Sequence, residues 1–253
     1  MAGPGTRTRC KRVANSPLSP AAPELITFAD SETLAGALAA AVAADLRAGI
    51  DARGGALVAL SGGTTPRRFL QRLSEQPLDW DKVTVTLVDE RWVAPDHDRS
   101  NARLLAEHLL RGAAAAAHFL PLFRDTPEPE DALPELERRF AGLPAAFDAI
   151  VLGMGADGHT ASFFPGGDHL QAALDPATSA RLLPMRAPGA GEARITLTLP
   201  VLLAARHLYL HIEGAEKRAV LDRALAGVGA DAGLPIRTVL AHAGTPVKTY
   251  LTP

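Results

Sequence analysis

Three apolar runs in this chain, residues 55–60, 83–88 and 147–152, are each followed directly by a polar or glycine-rich motif. Short runs with few polar residues are typical of strands that are buried on both faces of a parallel sheet. Helical patterns at residues 130–141 and 214–226 alternate with such runs. The sequence therefore predicts a single α/β domain with a mostly parallel sheet and helices on both faces.

The other predicted elements follow the same alternation. Strands are predicted at residues 24–28, 195–199 and 206–212, and helices at 31–48, where Gly49 ends the helix, at 67–73 and at 101–110. The polar motifs all follow strands. In an open α/β sheet, the carboxyl ends of the strands are where ligands bind, so we expect the motifs to meet in one site.

Residues 1–23 differ in composition from the rest of the chain. They carry Arg7, Arg9, Lys11 and Arg12 among glycine, proline, serine and threonine, without apolar periodicity. We interpret this segment as a disordered tail, with the folded domain at residues 24–253. A targeting peptide is the alternative, although no apolar stretch typical of a secretion signal is present.

Composition excludes several classes of protein. With 253 residues, of which 47% are hydrophobic, the chain can bury a large core. A formal net charge of −2 gives no basic footprint for nucleic acid, and we expect no nucleic-acid partner. No apolar run approaches the roughly 18 residues that cross a bilayer, so no membrane partner is expected either. No feature points to an obligate protein partner.

Cys10 is the single cysteine, which excludes an intramolecular disulfide and a multi-cysteine metal site. This usage favours a cytoplasmic location. The histidines other than His159 show no recurring metal-ligand spacing, and we interpret each as structural or exposed. No metal and no cofactor are therefore expected. These histidines are His97, His108, His118, His169, His207, His211 and His242.

Residues 61–66, Ser-Gly-Gly-Thr-Thr-Pro, are typical of a loop that binds an anion. Gly62 and Gly63 allow close backbone approach, Thr64 and Thr65 can donate hydrogen bonds, and the helix that follows presents its positive end. A simple turn is the alternative. The lysine and hydroxyl pair of a nucleotide-binding loop is missing, which argues against a nucleoside triphosphate.

Two further motifs supply charge at strand ends. Arg91 follows a buried-looking strand and could bind a phosphate or carboxylate, with Asp89 or Glu90 orienting it. Lys217 lies in the first turn of a predicted helix and could add charge to the same site. Arg194 precedes another strand, and we rank it below the other two cations. For Arg91 the alternative is a solvated ion pair, and for Lys217 it is an ordinary surface lysine.

The motif Gly153–His159 offers a titratable imidazole behind an apolar strand. A histidine can exchange a proton near neutral pH because its reference pKa is about 6.5. We therefore predict that His159 is a general base. Asp157 either sets the orientation of that ring or caps the loop. Ser162 lacks the Gly-x-Ser-x-Gly frame of an α/β-hydrolase nucleophile.

Five segments together resemble the 6-phosphogluconolactonase family. They are Leu60–Pro66, Asp89–Val93, Gly153–Ser162, Arg194–Pro200 and Gly214–Lys217, in the family's order. The resemblance implies a Rossmann-like domain of the glucosamine-6-phosphate deaminase and lactonase superfamily. It also implies hydrolysis of 6-phospho-D-glucono-1,5-lactone in the oxidative pentose phosphate pathway, without metal or nucleotide.

Two other functions stay open at this point. A glucosamine-6-phosphate deaminase or isomerase has a glutamate in its histidine motif where this chain has Phe164, and a tyrosine where it has Arg91. A non-catalytic sugar-phosphate-binding protein with a regulatory role would normally carry a DNA-binding module, and the sequence shows neither a helix-turn-helix pattern nor a basic domain. The residues at these two positions argue against the deaminase, and the missing DNA-binding module argues against the regulator, so both observations favour the lactonase.

Overall fold

The computed structural model describes residues 22–253, so the predicted tail at 1–23 lies almost entirely outside the described residues. The strands are β1 Glu24–Thr27, β2 Ala56–Leu60, β3 Val83–Leu87, β4 Asp89–Arg91, β5 His118–Leu120, β6 Ala149–Gly153, β7 Leu182–Met185, β8 Arg194–Leu197, β9 His207–Ile212 and β10 Lys248–Leu251. The α-helices are α1 Ser31–Arg53, α2 Arg67–Ser74, α3 Asn101–His108, α4 Pro129–Ala141, α5 Leu170–Ala173, α6 Leu199–Leu203, α7 Ala215–Ala226 and α8 Pro235–His242.

Within residues 22–253, seven strands form a parallel sheet in the order β1-β10-β9-β6-β2-β3-β5. The predicted Rossmann-like α/β fold is confirmed. The chain leaves β2 toward β3 on one side, while β6 and β9 lie on the other side. The strand order therefore switches between β2 and β6, and the crevice beyond their carboxyl ends is where an open α/β sheet binds ligands.

The strand predicted at residues 195–199 does not join the parallel sheet. It forms β8, the centre of a second, antiparallel sheet in the order β4-β8-β7. The motif at residues 89–91, predicted to follow the strand at 83–88, is itself the edge strand β4 of this second sheet. Its partner Arg194–Thr196 lies more than a hundred positions away in the sequence, so local pattern could not indicate the pairing.

Helix α1 is longer than predicted. It continues through Gly49 and ends at Arg53, where Gly54 takes the left-handed conformation with φ 77°. Gly49 is inside the helix because it packs against the side chain of Asp148, where a β-carbon would come within 2.9 Å of the carboxyl carbon. The glycine therefore marks a close contact and not a helix end.

By length and composition alone, α1 could span a membrane, contrary to the expectation that no apolar stretch is long enough. Half of the most apolar 18-residue stretch of this helix is buried inside the described structure. The buried side chains recur every three to four residues, which is typical of a helix that packs on a globular core. They include Leu34, Leu38, Val42 and Leu46.

Candidate active site

The loops that follow β2 and β6 meet at the switch point of the sheet. The backbone N–H of Gly153, the last residue of β6, donates to Ser61 Oγ at 3.2 Å. Around this contact lies a cavity of about 240 Å³. Its lining includes nine of the residues predicted to form the site, namely Gly62, Gly63, Thr64, Thr65, Asp89, Arg91, His159, Arg194 and Lys217.

The predicted anion loop lies at one side of this cavity. Lys217, in the first turn of α7, donates from Nζ to Thr65 Oγ1 at 3.0 Å, which places its ammonium group at the loop. Burial lowers the pKa of Lys217, and the nearby carboxylates of Glu213 and Glu216 oppose that shift. A half-buried cation beside threonine hydroxyls and backbone amides is suited to a phosphate group.

Gly62 is required by the packing of this loop. A β-carbon at Gly62 would overlap with the side-chain amide of Asn101. That amide cannot move aside easily, since Asn101 is only 2% exposed and its Nδ2 donates to the backbone oxygen of Asp89 at 2.9 Å. The loop therefore lies directly on Asn101, a residue that sequence analysis predicted only as the start of a helix.

Asp89 orients Arg194 and not Arg91. The Asp89 carboxylate lies 3.6 Å from Nη1 of Arg194 and accepts a hydrogen bond from Ser162 Oγ at 2.6 Å. Arg194 also donates to the backbone oxygen of Ala190 at 2.7 Å. Burial lowers the pKa of Arg194 while the charge of Asp89 raises it. Arg194, which we ranked last among the cations, is therefore a buried, paired cation that lines the cavity.

Glu90 does not orient the guanidinium group of Arg91 either. Its carboxylate accepts the backbone N–H groups of Arg91, Asn101 and Ala102, each at 2.7 Å. Burial raises the pKa of Glu90, and these backbone hydrogen bonds counteract that shift. The side chain thus binds the amino end of α3 to β4. The Arg91 guanidinium donates instead to the backbone oxygen of Arg99 at 2.6 Å.

His159 lies on the opposite loop of the cavity, in contact with Asp157. Its Nδ1 is 2.5 Å from Asp157 Oδ1, and its backbone N–H donates to the same oxygen at 3.1 Å. The hydrogen bond from the His159 side chain holds the pKa of Asp157 below its ordinary value. Because an ionised carboxylate can only accept, the contact requires a hydrogen on Nδ1, and in the neutral ring with that hydrogen Nε2 has the lone pair. Asp157 thus fixes the orientation of the imidazole within the cavity lining.

Two neighbours fix the position of the His159 ring. A β-carbon at Gly155 would overlap with the imidazole, so the glycine lets the ring lie over its own turn. On the other side the ring of Phe164 lies 4.2 Å from the imidazole, between centroids, and the Arg194 guanidinium lies 5.2 Å from the Phe164 centroid. The position occupied by glutamate in the deaminases thus holds an aromatic platform here.

Sequence analysis missed one further polar residue of the cavity. His211, interpreted as structural or exposed, is 2% exposed and belongs to the cavity lining. It lies at the carboxyl end of β9, opposite Gly153 of β6. Its Nε2 is 2.9 Å from Glu213 Oε1. Its place near the end of a predicted strand is the signal in the sequence, whereas the absence of metal-ligand spacing, on which the histidines were interpreted, does not bear on a single cavity residue.

The described residues contain no cluster of three or more histidine, cysteine, aspartate or glutamate side chains that could hold a metal ion. The chemistry that these residues offer is a base, a paired arginine and an anion-binding loop in one cavity. Such a set can activate water next to a substrate that is held by its phosphate.

Comparison with known proteins shows the family to which the chain is similar. Residues 29–248 match the family model of glucosamine-6-phosphate isomerases/6-phosphogluconolactonase. The 6-phosphogluconolactonase of Rhizobium meliloti is 51% identical over 226 residues, which cover 89% of this chain and 97% of that protein. That of Mesorhizobium japonicum is 48% identical over 89% of this chain and 94% of that protein.

A solved structure gives the same result. The crystal structure of a 6-phosphogluconolactonase from Shewanella baltica superimposes with a TM-score of 0.88 at 37% identity, over 93% of this chain and 100% of that chain. The resemblance found in five sequence segments therefore extends to the whole described fold. The chain belongs to the glucosamine-6-phosphate isomerase/6-phosphogluconolactonase family.

Proposed function

We propose that His159 activates the water molecule that opens 6-phospho-D-glucono-1,5-lactone to 6-phospho-D-gluconate. Hydrolysis of this lactone, a step of the pentose phosphate pathway, is the activity of the chain, since two relatives of that name are 51% and 48% identical to it over 89% of its length. The role of His159 rests on one observation. Its Asp157-bound ring lines the same cavity as the anion loop and Lys217.

The reaction begins with the substrate held by its phosphate. The loop at residues 62–65, Arg91 and Lys217 bind this group, which places the lactone carbonyl near His159. His159 Nε2 takes a proton from water while the water oxygen forms a bond to C1. The pair with Asp157 stabilises the imidazolium that results.

The tetrahedral intermediate then collapses. The bond between C1 and the ring oxygen breaks, and the proton on His159 Nε2 passes to that oxygen as it leaves. The Arg194 guanidinium, which lies against Phe164 beside His159, supplies positive charge for the oxyanion, as do backbone amides of the glycine-rich turn. The product is a carboxylic acid that ionises in water, so each turnover releases one proton.

Lactone hydrolysis by the purified protein tests the activity. The lactone is generated in situ from glucose 6-phosphate, the release of acid is followed, and the spontaneous rate is subtracted. We expect a large acceleration, and no ammonia from glucosamine 6-phosphate in a parallel assay. Ammonia release without lactone hydrolysis would favour the deaminase, and binding of 6-phosphogluconate without any turnover would favour a sugar-phosphate-binding protein.

Lys217→Ala is expected to raise KM about 10-fold or more and to change kcat little, because it removes a contact to a group that does not react. Steady-state rates over a range of lactone concentrations measure both constants. Arg218→Ala is the matched control, since its Nε pairs with Asp222 on the helix surface at 3.0 Å. A fall in kcat at unchanged KM would place Lys217 at the carbonyl instead.

Gly62→Ala is expected to raise KM about 10-fold or more, because the new methyl group must displace either the loop or the buried amide of Asn101. The double variant Gly62→Ala/Asn101→Ala provides space for that methyl group and should recover part of the loss. Gly36→Ala on α1 is the control, since nothing lies within 4 Å of its β-carbon position. A wild-type KM for Gly62→Ala would show that the loop tolerates the displacement.

A cytoplasmic location, and the absence of nucleic-acid, membrane and obligate protein partners, are also part of this proposal. They are supported by the single cysteine and by the low net charge of −2. The phosphorylated lactone is the partner that the cavity is suited to bind.

A further inference from the structure

Behind the anion loop, three polar side chains form a network that the mechanism does not use. Glu213 Oε2 accepts a hydrogen bond from Ser31 Oγ at 2.6 Å, and Glu213 Oε1 lies 2.9 Å from His211 Nε2. Both oxygens of this carboxylate are therefore held. Ser31 is the first residue of α1, whereas His211 belongs to β9, so the network joins two distant parts of the fold.

The network ends next to the phosphate-binding cation. Glu213 directly precedes Gly214, the residue that caps α7, and Lys217 is the third residue of that helix. Only three residues separate Glu213 from Lys217 along the chain, and the negative charge of Glu213 opposes the lowering of the pKa of Lys217 by burial. Even so, Lys217 forms no ion pair with any carboxylate of residues 22–253, and its Nζ donates to Thr65.

This separation needs a cause, because a half-buried ammonium group and a neighbouring carboxylate attract each other strongly. His211 gives one rigid anchor. Its ring is fixed in the central sheet and makes an edge contact with Phe69, at 6.1 Å between centroids. Ser31 gives the second anchor from the well-capped start of α1, where the cap itself is Asp30.

We propose that Ser31 and His211 are positioning residues that hold the Glu213 carboxylate away from Lys217, so that the ammonium group is free to bind the substrate phosphate. Without them, Glu213 turns toward Lys217 and forms an ion pair that the phosphate must break. This inference rests on the proposed function, since it assigns Lys217 to the phosphate.

Ser31→Ala tests the proposal, since it removes one anchor without touching the helix cap. We expect KM for the lactone to rise about three- to ten-fold at unchanged kcat, which is the size of effect expected from a competing, partly buried ion pair. The inhibition constant of inorganic phosphate should rise by a similar factor. Ser31→Thr keeps the hydroxyl and should behave like the wild type.

The decisive measurement is a double variant. Ser31→Ala/Glu213→Gln removes the competing charge and should restore KM and the phosphate inhibition constant to near wild-type values. Ser31→Ala/Glu216→Gln is the matched control, because it removes the same charge from an exposed position next to Lys217 and should not restore them. A purely structural role of Ser31 would not be rescued by Glu213→Gln.

Failure of the positioning role can be distinguished from failure of the proposed function. If the wild type hydrolyses the lactone but Ser31→Ala keeps the wild-type KM, or Glu213→Gln restores nothing, the positioning role is overturned and the proposed function stands. If the wild type neither hydrolyses the lactone nor binds 6-phosphogluconate in a calorimeter, the proposed function fails and this inference fails with it.

Discussion

Replacing His159 by alanine is expected to lower kcat by about 10²- to 10⁴-fold, because a positioned base contributes a factor of that size to proton transfer. KM should change little, since the phosphate contacts of the loop and of Lys217 lie elsewhere in the cavity. The measurement is the initial rate of acid release over a range of lactone concentrations, after subtraction of the spontaneous hydrolysis. It must be made at several pH values, because hydroxide also opens the lactone.

His169→Ala is a matched control for this variant. His169 also pairs with a preceding aspartate, since its Nδ1 lies 3.1 Å from Asp168 Oδ1, but it does not line the cavity. The control should keep the wild-type kcat. If His159→Ala kept it as well, His159 would not be the base. If both variants lost activity together with far-ultraviolet circular dichroism, the loss would reflect unfolding.

The sequence allowed the parallel part of the fold to be predicted because its signals are local. Each apolar strand is followed by its motif within a few residues, and parallel strands present those motifs at one edge. The sequence alone therefore predicts that the loop at 61–66, Lys217 and His159 share one site. The position of Gly49 was misinterpreted because glycine also allows close packing, and no local pattern distinguishes a helix end from a contact with Asp148.

The antiparallel sheet explains most of what was missed. The roles of Asp89, Glu90 and Arg194 depend on the pairing of β4 with β8, which brings together segments far apart in the sequence. Sequence order placed Asp89 beside Arg91, and proximity along the chain suggested that they form a pair. Residues two apart in a strand lie on the same face, and the pairing places Arg91 directly opposite Arg194 with Asp89 diagonal to it. The Asp89 carboxylate lies 3.6 Å from Arg194, whereas the Arg91 guanidinium donates to the backbone oxygen of Arg99, and only the tertiary structure distinguishes these partners.

Asp89→Asn is expected to lower the free energy of unfolding by about 3 kcal/mol, because it leaves a buried arginine without its counter-charge. Asp89 and Arg194 side chains are only 8% and 7% exposed, so water cannot replace the lost interaction. Asparagine keeps the shape and one acceptor oxygen for Ser162, which limits the effect to the charge. Urea unfolding, followed by circular dichroism, measures the change.

Asp98→Asn is the matched control, since it removes the same charge from a carboxylate that is 87% exposed and lies 2.5 Å from Arg103. We expect this variant to lower the free energy of unfolding by about 0.5 kcal/mol or less.

The double variant Asp89→Leu/Arg194→Met removes both buried partners and should recover most of the lost stability. It should still have little activity, because the Arg194 cation beside Phe164 and His159 is gone. Equal stability of the two single variants would mean that Arg194 has another counter-charge. Recovery of both stability and activity in the double variant would mean that the buried pair serves the fold alone.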